Sequence, residues 1–163
     1  FFPAYVMNYV LGGGGFESRL YEEVREKRGL AYSAYSYLAP LDHAGIIIGG
    51  AGTANARTGE TVKVLRDEWA KMNKSGLTQT ELKDAKTYLT GSYPLRFSSS
   101  RRIAGMMTGI QLEKLGLSYI KKRNSYIEAV SLDDVNRVAA KLLDPAKITM
   151  VIVGQPKGVT STP

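Results

Sequence analysis

The chain of 163 residues reads as an α+β domain, an antiparallel sheet with helices packed on one of its faces. Three observations lead there. Seven stretches carry apolar residues at helical spacing. Two tyrosine- and isoleucine-rich stretches flank a Pro-Asp turn and so pair as a hairpin. Helices outnumber strands, without the regular strand–helix alternation of a parallel sheet. Residues 1–158 are expected to form one domain, and 159–163, small and polar, a disordered tail.

The elements follow in order. From Pro3 to Leu11 a short helix turns Val6, Met7 and Val10 inward. Gly12 to Gly15 form a loop. From Phe16 to Lys27 a second helix points Leu20 and Val24 inward and Arg19, Glu22, Glu23 and Glu26 outward, and Arg28-Gly29 stops it. Leu30 to Leu38 is a strand, Ala39 to Asp42 a turn, and His43 to Gly50 a second strand whose Ile46-Ile47-Ile48 reads as central and buried. Gly49, Gly50 and Gly52 leave room for something to pack close.

From Ala54 to Asn73 a helix carries Val62, Leu65, Trp69 and Met72 on one stripe. Thr78-Gln79-Thr80-Glu81 is a capping box, opening a helix with Leu82, Ala85, Leu89 and Tyr93 inside. Ser98 to Ser100 cap a helix with Ile103, Met106, Met107 and Ile110, which Gly116 ends. Another runs from Ser118 to Val130. Ser131 caps the last, with Val135, Val138, Ala139 and Leu142 inside. Ile148 to Val153 reads as a third, buried strand. Three strands are few for such a sheet, which leaves room for one or more before Phe1.

Composition excludes several classes. There is no cysteine, hence no disulfide framework or thiolate site. No apolar run is long enough to span a membrane. The net charge of +7 is spread along helix faces, with no basic stripe interleaved with aromatics, which argues against nucleic acid. The chain opens at Phe1-Phe2-Pro3 without methionine and reads as a fragment or a processed form.

The four consecutive glycines are the densest feature. They are no phosphate-cradling loop, since Phe16-Glu17-Ser18 supplies no lysine, and no dinucleotide fingerprint, since a helix precedes them. They form either a helix cap and tight connection or a loop whose main chain touches a substrate. His43 is the one histidine, too few donors for a zinc centre and an ordinary hairpin residue. No Asp-x-Asp cluster marks a magnesium site, and no Gly-x-Ser-x-Gly elbow supplies a nucleophile. Tyr32, Tyr35 and Tyr37 form a packed aromatic face or offer phenols to peptide carbonyls. Arg96 and Arg101-Arg102 read as surface charges or as a carboxylate clamp.

The run Leu11-Gly12-Gly13-Gly14-Gly15-Phe16, followed by Ser18-Arg19-Leu20, Arg25-Glu26 and Arg28-Gly29-Leu30-Ala31-Tyr32-Ser33, resembles the hallmark of the C-terminal half-domain of the M16 metallopeptidases. That family includes insulin-degrading enzyme, pitrilysin and the mitochondrial processing peptidases. Gly50 to Asn55, Gly76-Leu77-Thr78 with Glu81-Leu82, and Val151-Ile152-Val153-Gly154 fit as well. The similarity runs from Pro3 to about Pro156 and is closest to the short bacterial members.

The resemblance implies an M16/LuxS-like α/β sandwich half-domain, used in pairs that enclose a chamber for unfolded peptides. It places zinc in an N-terminal half-domain, on His-x-x-Glu-His with a distal glutamate, whose motif glutamate activates the attacking water. The C-terminal half supplies the far wall and an Arg/Tyr pair that holds substrate carbonyls. It points to Gly12, Gly13, Gly14 and Gly15 as substrate-binding, with Tyr35 and Tyr37 standing for the tyrosine and Arg96 for the arginine. His-x-x-Glu-His is absent here. The expectation is therefore a non-catalytic chamber domain of a zinc peptidase, with no catalytic residue, metal or cofactor of its own. Its partners would be a zinc-binding half-domain or subunit and the peptide substrate, a homodimer of such domains being possible. The compartment would be bacterial cytoplasm or periplasm. The alternative is a structural subunit that keeps the fold without proteolysis, like the core proteins of the respiratory bc1 complex.

Overall fold

In a computed structural model the chain is described over residues 1–160. Helix α1 (Phe2–Asn8) carries a proline in its first turn, where an N–H would be unpaired in any case, and continues into a wider π-helical turn (Tyr9–Gly13). Val6, Met7, Val10 and Leu11 are buried, as their spacing requires. The helix expected from Phe16 instead begins at Arg19. A single 3₁₀ turn (Gly15–Glu17) comes first, and Ser18 then leaves the chain extended as the N-cap of α2 (Arg19–Tyr21), which runs into a second π-helical turn (Glu22–Glu26). Leu20 and Val24 are buried. Gly29, at φ +58°, closes this helix: its N–H donates to the Arg25 carbonyl and the Leu30 N–H reaches back to that of Val24.

Strands β1 (Ala31–Pro40) and β2 (Gly45–Thr53) form an antiparallel hairpin, with Pro40 opposite Gly45, Tyr35 opposite Gly50, and an irregularity at Tyr32. The register sets Ala34 and Ser36 on the helix-covered face, where Ile47 and Ala51 also meet the core. Tyr35, Tyr37 and Ile48 lie on the opposite, uncovered face.

Helices α3 (Thr58–Ser75), α4 (Gln79–Gly91), α5 (Ser100–Leu112), α6 (Ser118–Glu128) and α7 (Leu132–Leu142) complete the order. The capping box of α4 forms as expected, and Ser99 and Ser131 cap α5 and α7. α1 packs against α4, α6, α7 and β1, and α3 against α7. The α+β class with helices on one sheet face is what the structure has.

Three expectations need correction. Among the described residues the sheet has two strands, not three: 148–153 joins no ladder, and Val151 and Val153 are 85% and 93% exposed. Ile46 is exposed and Ile47 and Ile48 half-buried, because the second edge of β2 has no partner among the described residues. On α3 the fully buried stripe is Thr58, Thr61, Val64, Glu68 and Met72, and Val62, Leu65 and Trp69 are half-covered. Most of the expected tail, 161–163, lies outside the described residues.

Candidate functional site

The glycine loop divides into a packed part and an open part. Gly12 is buried beneath β1, where a Cβ would collide with the backbone nitrogen of Ser36 and come within 2.9 Å of Leu20 Cδ1. Its lack of a side chain lets the end of the first helix reach the strand, and the contact is sealed by a buried polar pair. Ser36 Oγ donates to Asn8 Oδ1 at 2.8 Å, and Asn8 Nδ2 donates to the Ser36 carbonyl at 3.3 Å. A Cβ on Gly13 would approach Asn8 Nδ2 to 2.7 Å, and one on Gly14 the Tyr9 carbonyl to 2.8 Å. Gly15, at φ +61°, borders open space. Of the four expected contact residues, Gly12 is thus buried, and the exposed main chain is that of Gly13 and Gly15.

The open end of the loop leads into a cation–aromatic strip. Phe16, 77% exposed, meets the edge of the Tyr21 ring with centroids 4.9 Å apart. One helical turn on, the Arg25 guanidinium lies 4.9 Å from the Tyr21 ring centre and 4.9 Å from that of Tyr32. Tyr32 stands at the irregular start of β1 and is 81% exposed. Burial lifts the Tyr21 phenol above its ordinary value against the opposing pull of Arg25, so that phenol stays protonated. The guanidinium carries five donors and the Tyr32 hydroxyl one more, a set able to hold the carbonyls of an extended chain. Glu17 on the loop accepts from the Tyr9 phenol at 3.4 Å.

The expected tyrosines and arginine lie apart. Tyr35 and Tyr37 stack on each other, half-exposed, on the uncovered face of the hairpin, with Tyr35 folded over Gly50. Arg96 sits on a 3₁₀ segment (Tyr93–Phe97) that packs with α4 and α5. Among the described residues no hydrogen bond or ring contact joins it to either tyrosine. Tyr32 stands among the three tyrosines that the sequence offers, but its pairing with Arg25 was not expected. A signal was present: Gly29 folds the end of a helix back onto the start of a strand, which brings an arginine four residues before it near a tyrosine three residues after it.

The donor set does not fit a zinc ion. His43 is exposed at the hairpin turn, and the described residues hold no group of three or more His, Cys, Asp or Glu side chains placed to bind a metal ion. No helix among them is long and apolar enough to cross a membrane.

Residues 1–89 match the family model described as the peptidase M16 inactive domain. Over 141 residues the chain is 36% identical to an uncharacterized zinc protease of Streptomyces coelicolor, covering 85% of this chain and 30% of that one. A non-peptidase homolog, YmxG of Helicobacter pylori, is 33% identical over 155 residues, 93% of this chain and 35% of that protein. The crystal structure of a peptidase M16 inactive domain from Pseudomonas fluorescens superposes with a TM-score of 0.76 at 35% identity, over 90% of this chain and 34% of that one. The chain therefore spans about a third of the length of these proteins.

Proposed function

We propose a role from the family to which the chain belongs, the peptidase M16 inactive domain: it forms the non-catalytic wall of a peptidase chamber and orients extended peptides for a zinc-bearing half. The observation that carries this reading is the pairing of Arg25 with the exposed Tyr32, beside the open main chain of Gly13 and Gly15. Arg25 donates to peptide carbonyls, Tyr32 adds its hydroxyl, and the Phe16 ring gives an apolar side chain a surface. All three contacts take backbone or generic features of the substrate, which suits a chamber that accepts many sequences. Arg25 and Tyr32 take the roles first expected of Arg96 and of Tyr35 and Tyr37. Zinc, and the water it activates, belong to a partner half-domain carrying His-x-x-Glu-His.

The test is reconstitution. The chain is combined with a His-x-x-Glu-His half, and capture and cleavage of an unfolded peptide are measured. Arg25→Ala should weaken capture about 10- to 100-fold, the worth of a charge-assisted hydrogen bond, with the circular dichroism unchanged. Unaltered capture would remove Arg25 from the site. A second reading, a structural subunit without proteolysis, is favoured by the relative named a non-peptidase homolog. It would prevail if no zinc half restored cleavage.

A further inference from the structure

Arg25 and Tyr32 belong to different elements, the π-helical turn Glu22–Glu26 and the start of β1, and the joint at Gly29 and Leu30 sets one against the other. That joint is loose by composition, since Gly29, at φ +58°, is the residue type with the widest backbone freedom. The ladder does not hold Tyr32 either: Ala31 pairs with Thr53 and Ser33 with Gly52, and Tyr32 is the extra residue between them. The N–H groups of the joint go back to the helix, Gly29 to the Arg25 carbonyl and Leu30 to that of Val24. Its carbonyls are held by side chains of the end of β2 and the turn that follows. Arg57 Nη1 donates to the Gly29 carbonyl, and Thr53 Oγ1 to the Leu30 carbonyl at 2.6 Å. Both donors are themselves fixed. The buried Thr61 sets its hydroxyl oxygen 3.1 Å from that of Thr53. A carbonyl only accepts, so the Thr53 proton goes to Leu30 and the Thr53 oxygen is left to accept from Thr61. The turn bearing Arg57 (Asn55–Arg57) is clamped in turn: the Lys157 N–H donates to the Asn55 carbonyl at 2.9 Å and the Gln155 N–H to Asn55 Oδ1 at 3.2 Å.

We propose that Arg57 and Thr53 are positioning residues for the Arg25–Tyr32 pair, holding the joint so that guanidinium and phenol face the same peptide. This rests on the reading of that pair as the peptide holder. A carbonyl fixed on each of two successive planar peptide units stops both from turning, and so sets the direction in which Ala31 and Tyr32 leave the helix. Without the two bonds Gly29 would turn about its own dihedrals, and the Tyr32 ring would leave the Arg25 guanidinium, now 4.9 Å from its centre. With them the pair is ordered on folding, so capture does not bear that ordering cost. Neither Arg57 nor Thr53 has to touch the peptide.

The test uses the assembled protein, this chain with a His-x-x-Glu-His half, and two readouts. Without peptide, NMR of isotopically labelled arginine reports the ring-current displacement of the Arg25 side chain by Tyr32. With peptide, capture is measured. Thr53→Val keeps the shape of the side chain and deletes the donor. Arg57→Met deletes the other donor at an exposed position, and carries the test should Thr53→Val not fold. Each should move the Arg25 resonances toward those of free arginine and weaken capture about three- to tenfold, the worth of one hydrogen bond. Thr53→Ser and Arg57→Lys, which keep a donor, should restore both. In an Arg25→Ala background Thr53→Val and Arg57→Met should change capture no further, whereas a general loss of folded protein would lower it in both backgrounds. Unmoved Arg25 resonances would overturn the proposal. So would displaced resonances with capture intact, or equal losses of capture with and without Arg25. Should Arg25→Ala itself leave capture unaltered, the peptide-holding reading fails and the positioning role falls with it.

Discussion

Arg19 on α2 and Glu81 on α4, 62 residues apart in the chain, meet as a two-pronged ion pair, Nε to Oε1 and Nη2 to Oε2 both at 2.7 Å. The same carboxylate accepts from the Thr78 N–H at 2.8 Å and closes the capping box of α4. Arg19 Nη2 also donates to the Gly76 carbonyl at 3.0 Å. One carboxylate therefore fixes both the start of α4 and the helix that leaves the glycine loop. Arg19 Nη1 is buried without a partner among the described residues, which offsets part of the gain. Glu81→Gln and Arg19→Met should each lower stability by roughly 1–3 kcal/mol, with a coupling of about 1–2 kcal/mol in the double mutant. Urea unfolding of the four proteins measures this, and strict additivity would show that the pair contributes nothing.

Acid should loosen the protein. Burial acts to raise the Glu81 carboxyl, but hydrogen bonds from Arg19 and Thr78 outweigh it and hold the group below its ordinary 4.5. Hydrogen bonds from Lys27 and Arg28 hold Glu23 below the same value, and those from Ser131 and Arg137 hold Asp134 below 3.8. A carboxyl depressed in the folded state makes its full contribution above the unfolded value and loses it as pH falls through the folded one. The urea midpoint should thus be level above the ordinary 4.5 and decline below it, and Glu81→Gln should flatten part of the decline.

Gly12→Ala and Gly15→Ala should part company. The first forces a Cβ into the Ser36 backbone, an overpacking cost of about 1–3 kcal/mol, and should lower thermal stability with peptide capture falling only in proportion. The second adds a methyl in open space at φ +61°, a strain of roughly 1–2 kcal/mol, and alters exposed main chain. Its loss of capture in the reconstituted enzyme should exceed its loss of stability. Gly13 and Gly14 are poorer probes, since their side chains would strike Asn8 and Tyr9.

Removing hydroxyls should separate the two tyrosine groups. Tyr32→Phe keeps the ring under Arg25 and deletes the exposed donor, so capture should fall several-fold with stability unchanged. Tyr35→Phe and Tyr37→Phe, on the uncovered sheet face, should leave capture as it is. The reverse pattern would return the site to the middle of β1.

Much of the fold was legible because it is local. The capping box at Thr78, the serine caps at Ser99 and Ser131 and the stop at Gly29 are each decided within a few residues, by side chains that satisfy or release neighbouring backbone groups. The likeness to the M16 half-domain rested on closely spaced residues too, Gly29 and Thr78 among them.

Tertiary structure decided the rest, because burial and pairing belong to two distant stretches at once. Arg19 read as an outward charge and lies against Glu81; Arg123, which nothing in the sequence singles out, is buried, donating to the Leu89 carbonyl at 2.9 Å and stacked 4.4 Å over Tyr93. Apolar β-branched runs at Ile46 and Ile148 announce strands, yet a strand is complete only where another backbone lies alongside, and along the outer edge of β2 none does among the described residues. The sequence determined which segments would be helix or extended chain. Only the packed structure determined which glycine is a spacer, which arginine faces which tyrosine, and where the sheet stands open.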